Sequence, residues 1–324
     1  MTNPVLAEII RGQIIESRHR GAFAVVDSAG KIALALGDVE TPIYPRSAIK
    51  AFQCLPLIES GAAGRFGFTE EEIALCCSSH DGEADHVRVA KSILAKAGND
   101  ESQYECGTHW PTGEAARFDL VRAGKKPRAI HNNCSGKHAG MLALAKYLGV
   151  ASEGYVRAEH PVQQAIAATL NRFCDIDVAG APCGIDGCSV PTWAYPLKNM
   201  ALGFARLASS DCQAGNHIIT SVRNHPFMVA GSARYDTKIM RAVPRLFIKL
   251  GAEGIFCGCI PHAGLGFALK CDDGTYRAAE LAAAQMLLKL DVWTADERVA
   301  LAGFAQNSLK NWSKLETGLA RASF

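Results

Sequence analysis

The stretch Gly21-Ala22-Phe23-Ala24-Val25-Val26-Asp27-Ser28-Ala29-Gly30-Lys31-Ile32-Ala33-Leu34-Ala35-Leu36 decides the fold class of this 324-residue chain. Two short apolar runs, Gly21–Asp27 and Lys31–Leu36, flank a Ser-Ala-Gly turn, the pattern of two strands joined by a tight connection. Upstream, Ala7–Glu16 reads as a further strand. Toward the other end, Gly254–Ile260 and Gly266–Cys271 read as strands separated by a Pro/Gly turn and followed by a helix over Ala278–Leu290. Between them, helical patterns cover Glu70–Cys77, Glu83–Ala97, Lys137–Leu148, Pro161–Phe173 and Leu197–Ser209. Strands at both ends around a helical middle predict an α+β fold. One antiparallel sheet is drawn from about residues 1–45 and 250–290 and closed by the termini, with helices packed on it. No proline-rich linker, low-complexity tract or repeat divides the chain, so a single domain over 1–324 is expected. A doubly wound nucleotide fold fits poorly. No Gly-x-Gly-x-x-Gly follows the first strand, and neither Gly-Lys pair has the upstream glycine of a P-loop.

Composition narrows the function classes. Hydrophobic residues make up 48% and charged residues 20% of the chain, as in an ordinary water-soluble enzyme. A formal net charge of +2 supplies no basic stripe for nucleic acid, so no nucleic-acid partner is expected. No apolar run approaches the ~18 residues of a membrane span, and Met1-Thr2-Asn3-Pro4-Val5-Leu6-Ala7-Glu8 has no signal-peptide pattern. Twelve cysteines without such a signal read as thiols of the reducing cytosol, not a disulfide frame. A cytoplasmic protein is expected.

Chemistry-bearing residues concentrate in a few glycine-marked segments. In Pro45-Arg46-Ser47-Ala48-Ile49-Lys50, the prolines forbid a helix upstream and Pro45 suits the first turn of a new one. Residues i and i+3 of a helix share a face, so Lys50 can reach the Ser47 hydroxyl and take its proton, the Ser-x-x-Lys arrangement of hydrolases that activate serine without histidine. Cys76-Cys77-Ser78-Ser79-His80-Asp81-Gly82-Glu83 gathers hydroxyls, an imidazole and carboxylates after an apolar run. His131-Asn132-Asn133-Cys134-Ser135-Gly136-Lys137-His138 crowds polar groups at the start of a helix. Gly184-Ile185-Asp186-Gly187-Cys188 places an acid and a thiol on a loop, and the strand ending Ala268-Leu269-Lys270 delivers a lysine.

Together these segments resemble the class 3, rhizobial-type L-asparaginases, which share their fold with serine β-lactamases and bacterial glutaminases. The resemblance runs from Glu16-Ser17-Arg18-His19-Arg20-Gly21 to Ala268-Leu269-Lys270-Cys271-Asp272-Asp273-Gly274. Cys134-Ser135-Gly136-Lys137-His138 is its most specific part. It implies a serine β-lactamase-like sheet, a homodimer, hydrolysis of L-asparagine, and two Ser–Lys pairs in one pocket. It also implies a Zn²⁺ held by Cys134, Lys137 and Cys188.

The residues support this chemistry in part by themselves. Amide hydrolysis needs a nucleophile, a base and oxyanion donors. Ser47 with Lys50 is the expected acylated pair because local helical geometry holds it together, and Ser79 with Lys270 is the second pair, meeting only through tertiary packing. Arg46 suits a substrate carboxylate, since a guanidinium fork matches that group. His80, Glu83, His138 and Asp186 are further candidate substrate contacts, Asp186 for the substrate ammonium. Two thiols suit zinc at ~2.3 Å; from the residues alone the third ligand would be His138, not Lys137, with Cys183 as a fourth. Three other readings remain: a glutaminase, differing by one methylene worth ~1–3 kcal/mol in a pocket; another serine amidohydrolase of the β-lactamase-like fold; and a zinc-stabilised binding protein with inert serines. Against a β-lactamase proper, the chain has no Lys-Thr-Gly or Ser-Asp-Asn triplet.

Overall fold

The computed structural model describes residues 2–324, and the chain divides into two compact units. The first takes the N-terminal stretch to Ala48, Tyr195–Arg206 and Lys238–Phe324; the second takes Ile49–Ala194 and Leu207–Thr237. Among the described residues the strands are β1 (Val5–Arg11), β2 (Ile14–Asp27), β3 (Ile32–Leu36), β4 (Cys183–Ile185) and β5 (Pro191–Trp193). They continue as β6 (Phe247–Gly251), β7 (Ile255–Ile260), β8 (Leu265–Cys271), β9 (Gln306–Lys310) and β10 (Glu316–Ala322).

The first unit is built on one antiparallel sheet in the order β6-β7-β8-β2-β1-β10-β9, with β3 also pairing β2. The two chain ends meet in it, Ile9 on β1 lying opposite Ala320 on β10. This is the α+β arrangement expected, with two local differences. The strand read over Ala7–Glu16 is interrupted at Gly12, whose φ of +57° costs glycine little and folds β1 back on β2. The strand read from Gly21 in fact begins at Ile14. Its polar segment hides the continuity, because Ser17 and His19 turn inward while Arg18 and Arg20 face water. Strand β6 and the hairpin β9–β10 lie outside the strands readable in the sequence; β9 is mostly exposed, while β10 is largely half-buried with Ala320 inside. Ala22 to Val26 are all buried, and the alanine-rich helix Tyr276–Leu288 lies against β1, β7, β8 and β10.

The second unit is helical around Ser135–Leu148, in which every residue from Ser135 to Ala145 is buried. A helix without a polar face belongs inside a bundle, and this one contacts helices Lys50–Glu59, Glu70–Cys76, Ala84–Ala97 and Pro161–Cys174. Gly136 and Gly140 permit the closest approach. A Cβ at Gly136 would lie 2.4 Å from the Leu75 carbonyl oxygen, and one at Gly140 2.8 Å from Cys76 Sγ. Helix Glu70–Cys76 therefore touches Ser135–Leu148 backbone to backbone, and Ser78-Ser79 emerge beside that contact. A capping box between Thr69 and Glu72 fixes where Glu70–Cys76 begins. The hairpin β4–β5 pairs Cys183 with Trp193 and turns through Asp186, whose N–H donates to the Val190 carbonyl, burying Cys188. Among the described residues no helix is long and apolar enough to cross a membrane.

Candidate active site

Lys50 opens helix Lys50–Glu59 with no solvent exposure. Its Nζ donates to the Ser78 carbonyl, to Ser79 Oγ at 2.7 Å and to Cys134 Sγ at 3.1 Å. An ammonium has three N–H donors, and all three are used. Ser79 is held by its own N–H, which donates to the Val229 carbonyl at 2.9 Å, and by the next residue, whose N–H donates to Asn133 at 3.0 Å. With Lys50 as a neutral amine the polarity of the bond reverses: the Ser79 hydroxyl donates its proton to Nζ. The second unit thus assembles a buried Ser–Lys pair.

Ser47 sits half-buried in the 3₁₀ turn Arg46–Ile49, and among the described residues its side chain makes no hydrogen bond. The i, i+3 spacing of Ser47 and Lys50 holds its geometry in an α-helical turn. The turn is 3₁₀, and the donors of Lys50 are taken by groups of the second unit. In the first unit, Arg46 has φ +49°, a left-handed backbone uncommon for a residue with a Cβ. Lys270 lies on β8 opposite Ala22 and Ile255, half-buried, its Nζ donating to the Cys271 carbonyl. Burial lowers its pKa against the pull of Asp272, Glu253 and Asp273.

Cys134, Lys137 and Cys188 converge. Lys137 Nζ is 3.0 Å from Cys188 Sγ, and the Cys134 and Cys188 thiols share a hydrogen bond. That bond, with help from Lys50 and Lys137, pulls Cys134 well below the ordinary thiol range despite burial, and it pushes Cys188 up together with burial. Burial opposes charge on Lys137, but the two sulfurs and Asp186 outweigh it and raise its pKa. Among the described residues no three His, Cys, Asp or Glu side chains group as metal ligands. The set that does converge is two thiols and an amine, nearly free of solvent. A polarised thiol and two neighbouring soft or nitrogen donors fit Zn²⁺ once their protons leave.

The remaining candidates differ in what they face. His80 is fully buried and engages protein groups at both ring nitrogens, Gly82 N–H at 3.1 Å and Ser135 Oγ at 2.9 Å. Burial, then the neighbouring His86 and Lys50, hold it well below the ordinary imidazole range. Glu83 is half-buried and accepts from Ser232 N–H at 2.8 Å. His138 Nδ1 lies 2.7 Å from the Tyr155 hydroxyl, which itself accepts from Glu105 N–H. His138 Nε2 has no partner among the described residues. Ser135 stood in the quoted motif without a role, and Tyr155 had no signal at all, since an isolated aromatic in a loop reads as packing.

The comparisons with known proteins are of unequal weight. The solved structures it is similar to include Mglu in its native form, at 13% identity and TM-score 0.40, covering 86% of this chain and 66% of that one. A β-lactamase from Mycobacterium bovis matches at 12% identity and TM-score 0.36, over 88% of this chain and 94% of that one. The chain thus spans about two thirds of the Mglu chain's length. No curated protein matches the sequence. The family model described as L-asparaginase II matches residues 7–322, from within β1 to the end of β10. The chain belongs to the L-asparaginase II family.

Proposed function

We propose that this chain is an L-asparaginase of the class 3 type, hydrolysing L-asparagine to L-aspartate and ammonia through an acyl-serine. The observation that carries the reading is the buried contact of Lys50 Nζ with Ser79 Oγ at 2.7 Å, within the reach a general base needs. Ser79 Oγ attacks the side-chain amide carbon while Lys50 takes the hydroxyl proton. The C–N bond then breaks and Lys50 returns that proton to the departing ammonia. Water attacks the resulting ester with Lys50 again as base, and aspartate leaves with Ser79 regenerated. Ser47 is the alternative nucleophile, as the Ser-x-x-Lys motif suggests. Cys134, Lys137 and Cys188 would hold Zn²⁺, which when bound supplies a positive centre for binding and orienting a polar substrate. The protein is proposed to act as a homodimer.

The test is ammonia release from asparagine, glutamine and a β-lactam, with mass spectrometry of enzyme quenched after reaction with a slow asparagine analogue. The expected result is release from asparagine and an adduct on Ser79. An adduct on Ser47 alone moves the nucleophile there; turnover without an adduct on either serine discards the covalent route. Release from glutamine in preference to asparagine reassigns the substrate.

A further inference from the structure

His80 is expected from the sequence to touch substrate, but its ring is committed elsewhere. Nδ1 accepts from Gly82 N–H, so the ring proton sits on Nε2, which donates to Ser135 Oγ at 2.9 Å. The ring stacks on His86 with centroids 4.9 Å apart and planes 14° from parallel. His86 repeats the arrangement. Its Nδ1 accepts from Glu83 N–H at 3.1 Å, its Nε2 lies 3.0 Å from the Phe227 carbonyl, and it stacks on the Phe227 ring at 4.6 Å. Phe227 lies in the short turn of helix Pro226–Val229, and the carbonyl of Val229 receives Ser79 N–H. On the other side, His80 N–H donates to Asn133, one residue before Cys134, whose sulfur receives Lys50. The contacts close a ring around Ser79: His80 to Ser135 and Asn133, His80 through His86 and Phe227 to Val229, and Val229 back to Ser79.

We propose that His80 is a positioning residue which sets the separation of Ser79 Oγ and Lys50 Nζ by tying the Ser79 loop to Ser135 and, through His86, to the Pro226–Val229 turn. It neither touches substrate nor carries a proton in the reaction. The inference rests on Ser79 and Lys50 being the reacting pair. A displacement of ~1 Å in such a pair costs about 10²-fold in rate, because the proton transfer and the attack both depend on near-contact geometry. The same ring of contacts satisfies both buried histidines without a hydrogen bond to a carboxylate: each uses one nitrogen to accept from a backbone N–H and the other to donate across elements.

Three variants of the full chain test this: His80→Ala, His80→Gln, which keeps an amide donor near the Nε2 position, and Ser135→Ala, which removes the acceptor and leaves the ring. Two readouts are used, asparagine kinetics and the rate at which a fluorophosphonate modifies Ser79. In that modification the serine oxygen bonds phosphorus, fluoride leaves and Lys50 takes the proton. The expected result is a fall in kcat and in labelling rate of roughly 10²-fold for His80→Ala, with KM within about twofold. His80→Gln should recover most of both, and Ser135→Ala should fall in the same sense by less. If His80→Ala does not fold, Ser135→Ala alone carries the comparison. Unchanged labelling with unchanged kcat overturns the inference and leaves the Ser79–Lys50 reading standing. A raised KM at constant kcat overturns it in favour of a substrate contact. A His80→Gln variant as slow as His80→Ala, with both folded, overturns it as well. Wild-type protein that releases ammonia from asparagine without labelling at Ser79 overturns the underlying reading, and the inference falls with it. Labelling of Ser79 without turnover of asparagine overturns only the substrate, and the labelling series still decides the role of His80.

Discussion

At the scale of single residues, Lys50 joins two kinds of chemistry, bonding a serine hydroxyl and a cysteine sulfur at once. Replacing it by methionine keeps the length of the side chain but leaves the Ser78 carbonyl without its donor and the Cys134 sulfur without its cation. Removing one partner of such a buried pair costs about 3–5 kcal/mol. Lys50→Met is therefore expected to lower Tm clearly, while kcat for asparagine, corrected for the folded fraction, falls roughly 10²–10⁴-fold, the usual share of a general base. Ammonia release and a thermal melt on the same preparation check both halves. The histidines give a second expectation. His80 and His86 both have lowered pKa values, burial being the first cause in each. Below the ordinary imidazole value of about 6.5 the unfolded chain binds protons that the folded one refuses. Stability therefore rises with pH up to that value and falls below it. Urea midpoints at pH 7.5 and 5 should show the loss, and His86→Gln should reduce it.

At the scale of elements, the contact between helices Glu70–Cys76 and Ser135–Leu148 places the site. Gly136 and Gly140 lie one helical turn apart on the face toward Leu75 and Cys76. Lys137 follows the first of these glycines, and Ser78-Ser79 follow the end of the facing helix, so the two active segments are as close as the two backbones allow. Gly136→Val would drive a side chain into the Leu75 carbonyl, 2.4 Å from where the Cβ must sit. Overpacking of this kind costs about 1–3 kcal/mol or more, and the helices must part to relieve it. The expected outcome is a lower urea midpoint and a loss of ammonia release larger than the fraction unfolded accounts for. Gly303→Ala, at an exposed helical position with open space around its Cβ, should do neither.

At the scale of the whole molecule, the proposed zinc ligands come from segments far apart in sequence, Lys137 and Cys188 being 51 residues from each other. They sit buried in a helical unit that already has a large apolar core. A metal site of this kind differs from a zinc finger, whose fold has no other core and unfolds without its ion. Cys188→Ser is accordingly expected to lower zinc content sharply while the far-UV circular dichroism persists. Full zinc in both Cys134→Ala and Cys188→Ala would place the metal elsewhere. The resemblance names these three residues in the sequence, but their meeting needs the fold. A lysine next to a thiol on a helix reads as a surface cation until the hairpin β4–β5 brings a second sulfur to it.

The class of the fold followed from the sequence, because period-2 and period-3.6 apolar patterns are local and survive without knowledge of partners. Strands at both ends and helices between them were readable for that reason, and so, to within one residue, were the bounds of helices Glu70–Cys76 and Pro161–Cys174, read as Glu70–Cys77 and Pro161–Phe173. The polar half of β2 and the hairpin β9–β10 were not, since strands with few apolar residues in alternation have no period-2 signature. The crowding of polar groups around Cys134 and Ser79 was visible as motif. Which serine Lys50 would join was not. Spacing along a helix names the neighbours that a side chain can reach, whereas a buried ammonium goes to whatever acceptors the packed core leaves it. Those acceptors, Ser78, Ser79 and Cys134, lie 28, 29 and 84 residues away. Only the tertiary structure brings them to one amine, because burial leaves that charge no water to turn to.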